Sequence, residues 1–234
     1  MGESHLGVVL LTRDRGLLYT LAHGAAKTKG KLRVLAQGFS EIQVELYHDP
    51  VADSWKITDA QEIYYPRTLG ESLEKYYVVC FWAEMILKSY GSGGEAQGVF
   101  DLITQGLRLL DRPNSTRLEA LKFQILWRYF TELGWGPDFS TCVRCGRSME
   151  GEKAFFSMED HGLTCLLDRW PTEPEVLPGV STYLKRTLGQ ELEESLRVGL
   201  TGACVQNLKH LGESYLERLI GSGLKTLKVG RNIL

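Results

Sequence analysis

At 234 residues the chain is long enough for one large domain or two modest ones, and its apolar fraction of 43% and charged fraction of 24% exclude a disordered polymer. No apolar run approaches the roughly 18 residues of a membrane span. Gly2, Glu3 and Ser4 before a short apolar run from Leu6 to Leu11 lack the basic start and long core of a signal peptide, so the expected compartment is the cytoplasm.

The formal net charge is −2, but the first 40 residues hold six Lys and Arg against two acids, a balance of +4 that leaves −6 on the rest. A basic front end is either a polyanion footprint or a set of solvated lysines. Five cysteines, an odd number with two in Cys-x-x-Cys, fit a reducing compartment and metal binding better than a disulfide framework. Cys80 and Cys204 sit in helical apolar patterns and read as small core residues.

From Leu6 to about Ile63 the apolar runs are short. Leu6 to Thr12 and Leu17 to Ala22 read as strands, and Ile42, Val44 and Leu46 alternate with polar neighbours as a half-buried strand requires. Trp55 to Thr58 suggests a fourth. Gly24, Gly30 and Gly38 break the region between them, and Asp49-Pro50 marks a turn. Four or five short strands in about sixty residues suggest a small barrel.

Between the second and third strands, Lys27, Lys29, Lys31 and Arg33 occupy every second position. Any extended part of this run places its cations on one face, where they can follow a phosphate backbone. Arg13 and Arg15, in the turn before Gly16, add to that set. Tyr19, Phe39, Tyr47 and Trp55 are either stacking surfaces for unpaired bases or, as is commoner for aromatics, core.

After Pro66 the pattern is helical. Leu73, Tyr76, Tyr77, Phe81 and Met85 form one stripe, ended by Gly91-Ser92-Gly93-Gly94, and Val99, Phe100, Ile103, Leu107 and Leu110 form a second, ended by Pro113. Leu118, Leu121, Ile125 and Tyr129 mark a central helix stopped by Gly134 and Pro137. A cysteine loop from Phe139 to Trp170 follows, and then Pro171, Pro174 and Pro178, which predict a stiff passage with no helix. Helices are expected near Ser181 to Leu188 and Ala203 to Ile220. The tail LKTLKVG, Leu224 to Gly230, alternates like a strand or an extended cover.

Cys142 and Cys145 have the spacing of a metal knuckle, and Cys165-Leu166-Leu167-Asp168 supplies one more thiol and then a carboxylate. The fourth donor to zinc is Asp168 or, near it in sequence, His161. The bland alternative is a metal-free loop shaped by Phe155, Phe156 and Leu163. Arg128, flanked by Trp127 and Tyr129, is either a solvated helix arginine or a grip for an acidic, aromatic-bearing peptide tail. Nothing places a base beside a nucleophile in the 142–168 loop, the H-x-E…P-C-x-x-C pattern of zinc deaminases is absent, and so is a phosphate-binding G-x-x-x-x-G-K-[ST] loop.

Several segments in this order resemble the RecO family of bacterial recombination mediators. They are GESHLGVVLLTRDRG at Gly2 to Gly16, with His5 where an acid is usual; HGAAKTKGKL at His23 to Leu32; and the helix with Arg128 followed by Leu133-Gly134-Trp135-Gly136-Pro137 and Cys142-Val143-Arg144-Cys145-Gly146. Phe156-Ser157 with Gly162-Leu163-Thr164-Cys165, and the closing LKTLKVG, complete the set. Two departures stand out: the match begins at the family's second strand, and Asp168 replaces a fourth cysteine.

The resemblance implies an α+β protein. Residues 1–65 would be an OB-fold-type β-barrel lacking its first strand, residues 66–234 an α-helical domain, and residues 139–170 a zinc-ribbon-like loop within it, with zinc on Cys142, Cys145, Cys165 and Asp168. It implies a non-enzymatic mediator of DNA repair and recombination in the cytoplasm, at the nucleoid. Such a protein binds single- and double-stranded DNA, anneals strands, engages RecR and the acidic C-terminal tail of single-strand binding protein, and helps load the recombinase RecA onto coated strands. Arg13, Arg15, Lys27, Lys29, Lys31 and Arg33 are the candidate DNA contacts, and Arg128 the candidate partner contact. The alternatives are a helical protein-interaction scaffold whose DNA binding went with the first strand, and a small zinc-dependent hydrolase.

Overall fold

Alternating side chains near the N-terminus become strands β1 (His5–Thr12), β2 (Gly16–His23), β3 (Glu41–Asp49) and β4 (Ser54–Tyr64). The computed structural model describes residues 5–25, 31–90, 96–113 and 117–230, with backbone alone at His5 and Lys31. Lys27 and Lys29 therefore lie outside the described residues, as does the side chain of Lys31. The chain divides into two compact units, Met1–Val79 with Ile86–Pro113 and Cys80–Met85 with Asn114–Leu234.

In the first unit the strands form one sheet in the order β1-β2-β4-β3. β1 and β2 are an antiparallel hairpin, β3 and β4 another, and a short parallel pairing of Thr20 with Trp55 and Leu21 with Lys56 joins them. The expected barrel is corrected here: among the described residues the sheet is open, with β1 and β3 at its edges. Leu10, Ala22 and Ile57 bury one face of the sheet against Leu32 and Leu35, with Val8, Leu18, Val44 and Leu46 packed around them.

Of the basic run, only its end from position 31 lies among the described residues. Lys31–Ala36 is a 3-10 helix rather than an extended segment. Leu32 and Leu35 are both buried, and a three-residue repeat is the geometry that puts them on one side. Strict two-residue alternation therefore does not continue through this segment.

α1 (Leu73–Ser89) begins at Ser72, whose hydroxyl accepts the Lys75 N–H, and α2 (Gln97–Leu110) follows, burying Val99, Leu102, Leu107 and Leu110. In the second unit α3 (Leu118–Glu132) buries far more than its predicted stripe: Leu121 to Trp127, Tyr129 and Phe130 are all buried, Lys122 and Gln124 included. It ends in a Schellman motif, with Gly134 N–H on Thr131 O, Trp135 N–H on Phe130 O, and Gly134 at φ 75°.

The cysteine loop carries a small sheet of β5 (Ala154–Ser157), β6 (Gly162–Cys165) and β7 (Glu175–Val176), in the order β6-β5-β7. α4 (Pro178–Thr187) is the helix expected near Ser181 to Leu188, and it starts three residues earlier on Pro178, whose fixed φ suits a first helical position. The four-residue α5 (Leu192–Ser195) has no counterpart in the sequence reading. α6 (Gly202–Ile220) packs on α3 and α4, and Gly212 permits the approach to α3: an added Cβ would stand 3.0 Å from Leu126 Cδ2. Trp127 sits among Phe130, Phe139, Phe156 and Tyr215, tying α3, the loop and α6 into one aromatic core. The tail expected to be extended is instead the helix α7 (Lys225–Gly230).

Candidate functional site

Two knuckles build the cluster in the 139–170 loop. The first turns at Cys142, where Cys142 N–H donates to Arg147 O at 2.9 Å and Gly146 N–H donates to Cys142 O at 2.8 Å; Gly146 takes φ 74°, a value that suits glycine. The second turns at Cys165, whose carbonyl accepts the N–H groups of Asp168 and Arg169 at 3.2 and 3.0 Å. Val143 N–H donates to Leu163 O, and Gly162 leaves room for the Val143 side chain, since a Cβ there would lie 2.4 Å from Val143 Cγ1. The knuckles are thereby pressed together.

The result brings Cys142, Cys145, Cys165 and Asp168 into one group whose donor atoms all lie within 4.8 Å of each other. Asp168 Oδ2 is 3.0 Å from Cys165 Sγ and 3.9 Å from Cys142 Sγ, and Cys145 Sγ is 3.9 Å from Cys165 Sγ. Thiolates and a carboxylate at ordinary zinc bond lengths stand about 3.5–3.8 Å apart around a tetrahedron, so three sulfurs and one oxygen fit that ion with small adjustments. Cys142 and Cys165 are buried and Cys145 is exposed.

The local electrostatics suit a cation. Hydrogen bonds from the Cys145 and Cys165 thiols hold Asp168 below the usual carboxylate range. The same contact with Asp168 pushes Cys145 up to about 11, because the carboxylate stabilises the protonated thiol. Burial works to raise Cys142, yet the N–H groups of Cys145, Cys165 and Arg144 more than offset it and bring this thiol down. Arg147 is held above its ordinary value by the charge of Cys165 and by its hydrogen bond to Cys145.

His161, the other candidate fourth donor, is engaged elsewhere. Its Nδ1 lies 3.0 Å from Tyr215 Oη, which in turn donates to Trp135 O at 2.8 Å. Arg144, which carries no prediction, braces the loop. It donates to Asp160, Glu173, Ser157 and the Asp168 carbonyl and lies 4.2 Å over the Trp170 ring. Its partners are 13 to 29 residues away, a relationship no local motif announces.

Arg128 is half-buried in α3. Its Nη2 donates to Thr187 O at 2.8 Å and Gln190 O at 2.6 Å, while its Nε is buried with no hydrogen-bond partner among the described residues. Burial holds its pKa below the usual arginine value. Gln190 also lines an open cavity of about 440 Å³ together with Arg186, Glu194 and Arg197.

In the first unit Arg13 and Arg15 share the β1–β2 turn. Arg13 lies 4.8 Å over the Phe100 ring and 3.2 Å from Asp101, and Arg15 lies 5.2 Å over Trp55 and 3.5 Å from Asp14. Arg33 is exposed on the 3-10 helix. Of the four aromatics, Tyr19 and Tyr47 are exposed at 61% and 53%, whereas Phe39 packs edge-on to Tyr76 and Trp55 stacks on His48. Strands β3 and β4 with their turn, residues 41–64, carry six acids against Lys56 alone. No helix among the described residues is long and apolar enough to cross a membrane.

A family model described as "Recombination protein O C terminal" matches residues 70–228. The chain is 24% identical to the "DNA repair protein RecO" of Bacillus pumilus over 97% of its own length and 87% of that protein. It is 25% identical to the protein of the same name from an Exiguobacterium species, over 97% and 89%, and 29% identical to that of Heliobacterium modesticaldum, over 85% and 73%.

Proposed function

The chain belongs to the family of recombination protein O, and from that premise we propose that it is a non-enzymatic DNA-repair mediator. It binds single- and double-stranded DNA through the cations of its first unit, anneals strands, and works with RecR to load RecA onto strands coated by single-strand binding protein. The observation that carries this reading is the family match across residues 70–228. What supports the DNA contact is the basic balance of the first 40 residues, with Arg13, Arg15, Lys27, Lys29, Lys31 and Arg33 as its members. Tyr19 and Tyr47, exposed on the same sheet, are of the type that stacks unpaired bases.

For the acidic tail of single-strand binding protein we assign the region of Arg128. The arginine holds the Thr187–Gln190 carbonyls, and Arg186 and Arg197 line the cavity beside them, a suitable rim for an acidic peptide. Zinc is assigned to Cys142, Cys145, Cys165 and Asp168, where it would act structurally, closing the loop between α3 and β7.

The test is a salt titration with labelled single and double strands. Affinity falls as salt rises, and replacing Lys27, Lys29 and Lys31 together by Ala weakens binding regardless of sequence and flattens the salt slope. A flat titration rejects the reading. One observation favours a second reading, a helical interaction scaffold with weakened DNA binding: the acidic β3–β4 hairpin, on a sheet that does not close. The same titration separates the two.

A further inference from the structure

We propose that Cys145 is a peroxide-reactive thiol that closes a reversible disulfide with Cys165. Three thiols converge in the 139–170 loop, but they differ in access. Cys142 and Cys165 are 1% and 3% exposed, whereas Cys145 stands at the exposed edge of the group. A small oxidant such as hydrogen peroxide therefore meets Cys145 first.

The resolving sulfur is already in place. Cys165 Sγ lies 3.9 Å from Cys145 Sγ, so the two close by about 2 Å to reach a disulfide bond length, a movement the exposed Cys145 side chain supplies. Cys142 is the less suited partner, because its sulfur already accepts the Cys165 N–H at 3.4 Å.

The chemistry balances without a further reactant. The Cys145 thiolate attacks one oxygen of hydrogen peroxide, the O–O bond breaks, and hydroxide leaves, giving a sulfenic acid. The Cys165 thiolate then attacks that sulfur, the S–O bond breaks, and a second hydroxide leaves. Two thiols lose two electrons and two protons, and peroxide becomes two waters. The oxidised loop keeps Cys142 and Asp168 as donors, too few for a closed tetrahedral site, so oxidation and metal release go together. The release rests on the zinc reading above; the disulfide does not.

The experiment treats the full chain, as isolated and after chelator stripping, with hydrogen peroxide. Free thiols are titrated, a chromophoric chelator follows zinc, and non-reducing digests are mapped by mass spectrometry. Five free thiols fall to three, a peptide pair joined through Cys145 and Cys165 appears, dithiothreitol restores both thiols, and zinc leaves in step with the loss. In Cys80→Ser or Cys204→Ser four thiols fall to two and the same peptide pair forms, while Cys145→Ser removes the linked peptide. The mapping on the unsubstituted chain decides the matter even if Cys145→Ser fails to fold. A Cys142–Cys145 link, a sulfinic acid at Cys145 with no link, or five unchanged thiols overturns the proposal. Protein that carries no zinc yet forms the link on longer exposure sinks the metal reading alone; protein that carries zinc and forms no link sinks this one alone.

Discussion

Glu84 and Thr226, 142 residues apart in sequence, are joined twice: one carboxylate oxygen accepts both the backbone N–H and the hydroxyl of Thr226 at 2.8 Å. The other oxygen accepts the N–H of Lys225, also at 2.8 Å. A carboxylate from α1 thus satisfies first-turn donors of α7 and complements its dipole.

Removing that cap is expected to loosen α7. Glu84→Ala should cost about 1–2 kcal/mol, in the range of lost helix caps, with hydrogen exchange accelerated over residues 225–230. Equal exchange in both proteins would show that α7 is held by something else.

Lys122 is 1% exposed in α3, with Glu213 at 3.2 Å and the rings of Phe81 and Phe123 within 4.7 and 4.9 Å. Lys122→Ala strands the acid and opens a void, for about 3–5 kcal/mol, whereas Lys122→Met, which still strands the acid but fills the void, should cost less. Burial holds this ammonium below the usual lysine value, ahead of the opposing pull of Glu213. The folded chain therefore releases its proton before the unfolded chain does, and stability rises with pH across that window. Urea titrations at a series of alkaline pH values check the slope, which Lys122→Met should remove.

Asp168 is expected to set zinc affinity. Asp168→Ala should weaken it by more than the roughly 10–100-fold that loss of an outer partner costs, while Asp168→Cys strengthens it. Because Cys145 holds its proton up to about 11, metal binding displaces that proton, and affinity falls as pH is lowered. Chelator competition at several pH values measures both effects.

Asp49 closes the β3–β4 turn. Its pKa is brought down to about 2 by Lys56, at 2.6 Å, and then by the N–H groups of Ala52 and Val51. Its folded value lies below its unfolded value, so its contribution is present above about pH 4 and lost as pH falls toward about 2. Asp49→Asn should flatten that part of the acid unfolding curve.

Much of this was legible in the residues. Period-two alternation located β1 to β4 within a few residues, and three- and four-residue stripes located α1 to α3, because one-sided burial leaves that signature. The clustering of Cys142, Cys145, Cys165 and Asp168 was legible for a different reason: Cys142-x-x-Cys145 and Cys165-x-x-Asp168 each lie within a single turn. What escaped depends on distant partners. LKTLKVG alternates like a strand, and it is helical with Glu84 holding its first turn. The cations at Lys31 and Arg33 masked the Leu32–Leu35 spacing that makes their segment a 3-10 helix. Barrel closure is a long-range pairing that no local pattern encodes.

Arg144 is where the cysteine loop stops resembling a zinc finger. Its guanidinium ties the first knuckle to Asp160, Glu173 and the Asp168 carbonyl and rests on Trp170, so protein groups brace the loop. A finger without its ion collapses, and its binding free energy is spent on folding. Here the Arg144 contacts add a hold that draws nothing from an ion, so scarcity of the ion would empty the loop without unravelling the domain around it.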